Sequence, residues 1–273
     1  MSGPLGARRV RELLDEHGVR PRKELGQNFV IDPNTIRKIV DAAGVRPGDH
    51  VVEIGAGTGS LTLGLAAVGA RVTAIEFDRR LLPALDQTTG GNDFIEVVAA
   101  DAIRFDFARV GPAQIVANLP YNIAVPVVMR ILESAPNIDP LTIMTQREVG
   151  ERLAARPGSK AYGAVSVMVA CLAEAAVLTS VSRRAFYPVP SVDSVIVRVA
   201  RRAEACAEPG VLRPVVRAAF SQRRKTLRNT LTALSGGEAS VAEAAIRRAG
   251  IDPGARAEDI DVGGFVALAR EFA

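Results

Sequence analysis

The sequence predicts an α/β fold, a mainly parallel sheet with helices on both faces, followed by a small all-helical C-terminal domain. Three observations carry this. Short β-branched runs alternate with amphipathic helical spacing from about residue 34 to 200, the rhythm of βαβ units. A glycine-rich turn, Gly55, Gly57 and Gly59, follows the first long run and precedes a helical pattern. Beyond residue 210 the patterns are helical only.

In order, "HVVEIGA", "RVTAIEF", "DFIEVVAAD", "AQIVANL", "LTIMTQ" and "SVIVRVA" read as strands. The stretch "VMVACLAEAAVLTSVS", Val167 to Ser182, begins as helix and passes toward strand with no boundary signal. "ARRAEACAEPG" loses the strand period and ends on Pro-Gly, which marks a linker over 201–210 between a domain of residues 1–200 and a helical domain of 211–273. In the latter, "RPVVRAAFSQRRKTLRNTLTAL", "SVAEAAIRRAGI" and "DVGGFVALAREF" are separated by Gly and Pro.

Composition narrows the function classes. No run approaches the roughly 18 to 20 apolar residues of a membrane span, and "MSGPLGARRVRELLDEH" is no signal peptide, so a soluble cytoplasmic protein is expected. The two cysteines, Cys171 and Cys206, stand far apart without a CxxC spacing, and His17 and His50 are the only histidines, so neither a disulfide nor a metal is expected. The net charge of +4 is mild, but Val211 to Thr230 holds six basic residues and no acidic one. That patch suits a polyanion; a solvated helix face is the alternative.

The glycines let the chain turn tightly and let a ligand approach the backbone without meeting a Cβ. Ser60 stands where a dinucleotide fingerprint has its third glycine, which points away from a pyrophosphate. Glu76 ends the second strand, where a carboxylate accepts from ribose hydroxyls, and Asp101 ends the third, placed for the exocyclic amine of an adenine. Asn118 ends the fourth. Four successive strand ends with ligand-capable groups predict a nucleoside-containing cofactor in the crevice at their carboxyl ends. "VVEIGAGTGSLT" with these acids resembles the Rossmann-like S-adenosylmethionine (SAM) dependent methyltransferases; a dehydrogenase is the alternative, disfavoured by Ser60.

"NLPYN", Asn118 to Asn122, then acquires a purpose. A methyl on sulfonium is already activated, so the protein must hold a nucleophile in line. An adenine amine is a poor nucleophile because its lone pair is delocalised. The side-chain carbonyl of Asn118 and the backbone carbonyl of Leu119 are placed to accept from it, increasingly so as positive charge develops. Pro120 stiffens the turn, and Tyr121 offers a ring for stacking. The motif is similar to the Asn/Asp-Pro-Pro-Tyr/Phe signature of methyltransferases acting on exocyclic amines.

"KELGQNFVID", "NLPYNIAVPVVMRIL", "TQREVGERLAARPGSKAYGAVSVM", "FYPVPSVDSVIVRV" and "FSQRRKTLRNTL" together resemble the KsgA-type small-subunit (16S) rRNA adenine-N6,N6-dimethyltransferase family, over residues 20 to 270. The resemblance implies a Rossmann-like SAM-dependent methyltransferase sheet and two adjacent adenines in the 3′-terminal hairpin loop of small-subunit rRNA as substrate. It also implies a pre-30S particle as partner, no metal, S-adenosylhomocysteine as product, and a monomer. By matching position, an N-terminal segment with Gln27, Asn28 and the backbone of Val30 covers the cofactor, with Gly55, Glu76, Asp101 and Asn118 as further contacts. Glu53, Gly57, Gly59 and Ala102 complete the expected cofactor set. Phe186 corresponds to a second aromatic near the target base, beside Tyr121. Arg147, Arg183, Arg184, Arg223, Arg224, Lys225 and Arg228 are the expected phosphate contacts. Two alternatives stay open: the 23S rRNA dimethyltransferases of macrolide resistance, and a nucleic-acid-binding assembly factor without catalysis.

Overall fold

The computed structural model describes residues 3–120 and 122–273. The strands are β1 (Phe29–Val30), β2 (His50–Ile54), β3 (Arg71–Glu76), β4 (Ile95–Ala99), β5 (Ala113–Asn118), β6 (Ile138–Gln146), β7 (Ala173–Val181), β8 (Phe186–Tyr187) and β9 (Ser194–Arg201). The helices are α1 (Ala7–Glu16), α2 (Pro33–Ala43), α3 (Ser60–Ala67), α4 (Leu82–Thr89), α5 (Ala124–Ser134), α6 (Arg147–Leu153), α7 (Ala164–Leu172), α8 (Pro209–Ala219), α9 (Leu227–Leu231), α10 (Ala239–Arg248) and α11 (Val262–Glu271).

Seven strands form one sheet in the order β4-β3-β2-β5-β6-β9-β7. From β4 to β6 all pairs are parallel, and β9 runs antiparallel to β6. The chain reverses direction of travel between β3 on one side of β2 and β5 on the other, so the crevice of this open sheet opens where β2 and β5 adjoin. β1 and β8 form a separate two-stranded antiparallel pair, with Val30 opposite Phe186 and Phe29 opposite Tyr187.

Local chemistry explains several boundaries. Asp32 caps α2, accepting from the N–H groups of Asn34 and Thr35, Pro33 occupies the first turn, and Gly44 ends the helix in the left-handed region. Helix α3 is buried on every side, which its uniformly small and aliphatic sequence SLTLGLAA permits. The expected helix-to-strand passage at Val167 to Ser182 resolves between Leu172 and Ala173.

The chain divides into two compact units, Met1–Gly150 with Ala176–Ala200, and Glu151–Ala175 with Arg201–Ala273. The first has a core that joins α2 and α3 to the sheet through Ile36, Ile39, Leu61, Val51 and Val116. In the second, Phe220 stacks on Phe265 at 5.7 Å and meets Tyr162 edge-on at 6.0 Å. The Tyr162 hydroxyl donates to the Ile260 carbonyl. The expected long helical stretch from Arg213 is divided into α8 and α9, with residues 220–226 as a turn between them.

The expectation that the two cysteines stay unpaired is overturned. Cys171 and Cys206 form a disulfide, with Cα atoms 5.0 Å apart, in the second unit. Their separation of 35 residues conceals the pairing. The Cys206 N–H donates to the Cys171 carbonyl and the Arg202 N–H to the Leu172 carbonyl, which lays the stretch after β9 alongside the end of α7. No helix among the described residues is long and apolar enough to cross a membrane.

Candidate active site

A cavity of about 270 Å³ lies at the carboxyl ends of β2, β3 and β5, within the first unit. The turn after β2 shapes its floor. Gly55 and Gly57 have φ of 78° and 60°, values an L side chain rarely adopts. A Cβ at Gly57 would stand 3.1 Å from the Phe29 ring, so glycine also allows the N-terminal segment to lie close over the turn. Gly59 is different. It is not part of the cavity wall; a Cβ there would press on Leu85, Thr88 and Thr89 of α4 at 3.0 to 3.2 Å, so its smallness serves helix packing. Ser60 lines the cavity, and its Oγ accepts from the Leu5 N–H.

Three carboxylates follow from the strand ends, in different states. Glu53 is 1% exposed, and its Oε2 accepts a 2.5 Å hydrogen bond from the Thr62 hydroxyl. Burial pushes its pKa up to about 8 against the opposing Thr62 bond, with the Glu76 charge adding to the rise, so Glu53 is protonated at neutral pH. Burial also raises Glu76, but N–H groups of Asp78 and Gly57 each bond one of its oxygens at 2.8 Å and favour the charged form. Glu76 lines the cavity, and a carboxylate can accept about four hydrogen bonds, so capacity is left for a ribose diol. Asp101 takes the Ile103 N–H on Oδ1 at 2.9 Å, while its Oδ2 is 3.8 Å from Arg104.

At the end of β5, the Asn118 side chain donates through Nδ2 to the Asn28 carbonyl at 3.0 Å. This fixes the amide so that Oδ1 is its free acceptor end; no donor among the described residues takes it, nor the Leu119 carbonyl. Pro120 lines the same wall, and its carbonyl caps the start of α5 by accepting from Ile123 and Ala124. Tyr121 lies outside the described residues. Gln27, Asn28, Val30, Glu53, Gly55, Gly57, Glu76, Asp101, Ala102, Asn118 and Leu119 all line the cavity.

Phe186 does not line it. The ring is 1% exposed and lies in the core cluster with Val30, Ile36 and Val181, because β8 pairs with β1 and turns this wholly apolar side chain inward. The expectation of an open stacking face at Phe186 is therefore corrected to a ring that supports the segment carrying Val30. Among the lining residues not singled out from the sequence are Asp78, Phe77 and Ile103. Asp78 had a signal, an acid two residues past the ribose carboxylate and two before Arg80. Phe77 is 58% exposed although large and apolar, which suits a wall for a flat ring.

The expected phosphate contacts divide by partner. Arg147 pairs with Asp193 at 3.4 Å, and the Arg183 guanidinium donates to the Ser191 carbonyl. Arg223 pairs with Glu258 at 3.2 Å and Arg228 with Glu243 at 3.2 Å. Arg184, Arg224 and Lys225 are exposed and have no ion pair among the described residues.

A parallel sheet with a glycine turn after β2, carboxylates at the ends of β3 and β4, and an Asn-Leu-Pro lip after β5 defines a nucleoside-cofactor methyltransferase. The donor set fits such a group: buried acceptors for a diol, an acid for an amine, and a Cβ-free turn under a covering segment. Comparison with known proteins makes this specific. The family profile described as ribosomal RNA adenine dimethylase matches residues 18–273, and the chain belongs to that family. Its methyl donor is SAM. The chain is 47% identical to the ribosomal RNA small subunit methyltransferase A of Thermobifida fusca, over 95% of this chain and 93% of the relative. It is 46% identical to the protein of that name from Streptomyces coelicolor, over 97% of this chain and 96% of the relative. Among solved structures it is similar to a dimethyladenosine transferase from Plasmodium falciparum, with a TM-score of 0.74 and 25% identity over 87% of this chain and 94% of that one. It is also similar to the 23S rRNA methyltransferase ErmE, with a TM-score of 0.69 and 33% identity over 90% of this chain and 99% of that one.

Proposed function

We propose that this chain transfers methyl groups from SAM to N6 of two adjacent adenines in the 3′-terminal hairpin loop of 16S rRNA, in a pre-30S particle in the cytoplasm, acting as a monomer. The observation that carries the reading is the pair of carbonyl oxygens at the cavity lip, Asn118 Oδ1 and Leu119 O, that no donor among the described residues claims. Bound in the cavity, SAM supplies an electrophilic methyl group. The chain supplies position: Glu76 would hold the ribose, Asp101 and the Ala102 backbone the adenine, and Gln27, Asn28 and Val30 the cover. Asn118 and Leu119 would accept both hydrogens of the target amine, turning its lone pair toward the methyl. These acceptors bind more tightly as the nitrogen becomes positive, so their contribution is larger in the transition state than in the ground state. Tyr121 and Pro120 would hold the extruded base, and a loop adenine is extruded at little cost because it is unpaired. The cationic residues would take phosphates.

The names of the relatives, at 46 to 47% identity over 95 to 97% of the chain, support the small-subunit substrate over the large-subunit one. The test is to incubate the protein with labelled SAM and ribosomal subunits lacking this modification, then map the label by nuclease digestion and mass spectrometry. Label in adjacent adenines of 16S rRNA is expected. Label in 23S rRNA would favour the activity named for ErmE, and no label in either RNA would overturn the catalytic reading.

A further inference from the structure

The segment that covers the cavity is tied to its wall at two points with different chemistry. Gln27 Nε2 donates to Asp78 Oδ2 at 2.7 Å, while Gln27 Oε1 accepts from the Arg22 N–H at 2.8 Å, so both ends of this amide are committed. One residue on, the Asn28 carbonyl accepts from Asn118 Nδ2 at 3.0 Å. Asp78 is only 7% exposed and does not move freely. Its carboxylate is held by the Arg80 Nε at 2.9 Å and by the Arg80 terminal nitrogen, and its own N–H donates to Glu76 Oε1 at 2.8 Å. Burial would raise the pKa of Asp78, but the hydrogen bonds from Arg80 and Gln27 outweigh it and hold the group below the usual carboxylate range. A charged, immobile acceptor thus stands at the foot of the cover.

The consequence lies in the Asn118 amide. A carboxamide has one accepting and one donating end, and a half-turn exchanges them. With the Asn28 carbonyl in place, the NH₂ is drawn to the cover and Oδ1 is left for an incoming amine. With the cover lifted, nothing among the described residues selects that orientation, and the flipped amide would meet the substrate NH₂ donor to donor.

Resting on the functional reading above, we propose that Asp78 is a positioning residue for methyl transfer. By holding Gln27 it keeps the Asn28 carbonyl over Asn118 and so sets the acceptor end of that amide, which makes a closed cover a condition of catalysis as well as of cofactor retention.

The test is a reversal of the hydrogen bond. Gln27→Glu sets two carboxylates against each other, and Gln27→Glu with Asp78→Asn restores one donor and one acceptor in exchanged places at the net charge of the parent protein. Transfer to unmodified small subunits is measured at saturating SAM, together with SAM affinity, melting temperature and hydrogen exchange of amides 22–30. The single variant is expected to lose about tenfold to a hundredfold in the saturated rate, since a displacement of about an ångström near reacting atoms has effects of that size. The double variant should recover to within about threefold, by the same reasoning in reverse. A single variant with the parent's saturated rate, or with a deficit that vanishes at saturating SAM, would overturn the coupling to Asn118 and leave a cofactor clasp. A rate that falls only in step with melting temperature and is not restored in the double variant would reduce Asp78 to a structural residue. If the parent protein itself labels no RNA, the functional reading fails; faster exchange of amides 22–30 in the single variant alone then supports the latch, and unchanged exchange rejects it.

Discussion

The cavity wall of the first unit and the cationic stretch Val211–Thr230 of the second are both rich in polar groups, yet they work in opposite ways. In the wall, polar groups are committed: Glu53 to Thr62, Glu76 to two N–H groups, Gln27 to Asp78, and Asn118 to Asn28. What remains uncommitted there is a small set of acceptor lone pairs with fixed directions. In the cationic stretch the basic side chains are exposed, Arg223 and Arg228 carry an acidic partner, and Arg224 and Lys225 carry none among the described residues. The wall acts through geometry and desolvated bonds at hydrogen-bonding range, and the stretch through a field that salt screens. Substitutions should therefore show steep, position-specific losses in the wall and shallow, salt-dependent ones in the stretch.

The largest effect expected is on the support of the wall. Phe186→Ala removes a fully buried ring from the cluster that holds Val30, and should cost about 3 to 5 kcal/mol of folding free energy by denaturant unfolding. A loss under about 1 kcal/mol, with turnover reduced and SAM affinity intact, would restore Phe186 to a direct role at the target base. Next is Asn118→Ala, which deletes the fixed acceptor and should reduce transfer about 100- to 1,000-fold, while melting temperature stays near that of the parent protein. Full-speed methylation would remove the amide from the chemistry.

How much of this was legible follows from the range of each interaction. The turn of Gly55 and Gly57, the acids Glu53, Glu76 and Asp101 and the amide of Asn118 each sit at the end of a strand whose pattern is local, and all six line one cavity. Gly59 shows the limit of spacing as evidence, since the same residue type two positions on packs a helix instead. Contacts between distant positions had no local signature. The Gln27–Asp78 bond spans 51 residues and the Cys171–Cys206 bridge 35. Strands β1 and β8 are two residues each, too short for any period to register, and their pairing is what buries Phe186. Ring type alone does not tell a stacking face from a core side chain. The division of the long cationic stretch at residues 220–226 was hidden because no Gly or Pro marks it.

A third effect is confined to one window of pH. The Glu53 carboxyl titrates near 8 in the fold and at the ordinary 4.5 in the unfolded chain. Below 4.5 both forms are protonated and its contribution to stability is fully present. As pH rises from 4.5 toward 8 the unfolded chain loses this proton and the folded one keeps it, so that contribution declines by about 1.4 kcal/mol per pH unit, and levels off above 8. Glu53→Gln keeps an acceptor for Thr62 and does not titrate. In cofactor-free protein, the unfolding free energy of the variant minus that of the parent should rise steadily between pH 5 and 8. A difference independent of pH would show that Glu53 ionises normally in the fold and that the floor of the cavity is wetter than its burial implies.

The smallest effect belongs to the cationic stretch and separates charge from availability. If phosphate neutralisation there depends on net charge, replacing any of Arg223, Arg224, Lys225 or Arg228 with alanine should flatten the dependence of log affinity on log salt equally. The ion pairs argue otherwise. Removing Arg223 also frees Glu258, and removing Arg228 leaves Glu243 paired with Arg247 alone, while in the parent protein those arginines must part from a carboxylate 3.2 Å away before engaging a phosphate. Arg224→Ala and Lys225→Ala should each reduce the slope by about 0.7 to 0.9, the value for one phosphate contact. Arg223→Ala and Arg228→Ala should reduce it by less than half as much, measured by binding to small subunits across a salt series. Four equal slopes would mean that the acidic partners are exchanged for phosphate without cost, and that this region, unlike the cavity wall, can be described by its charge count alone.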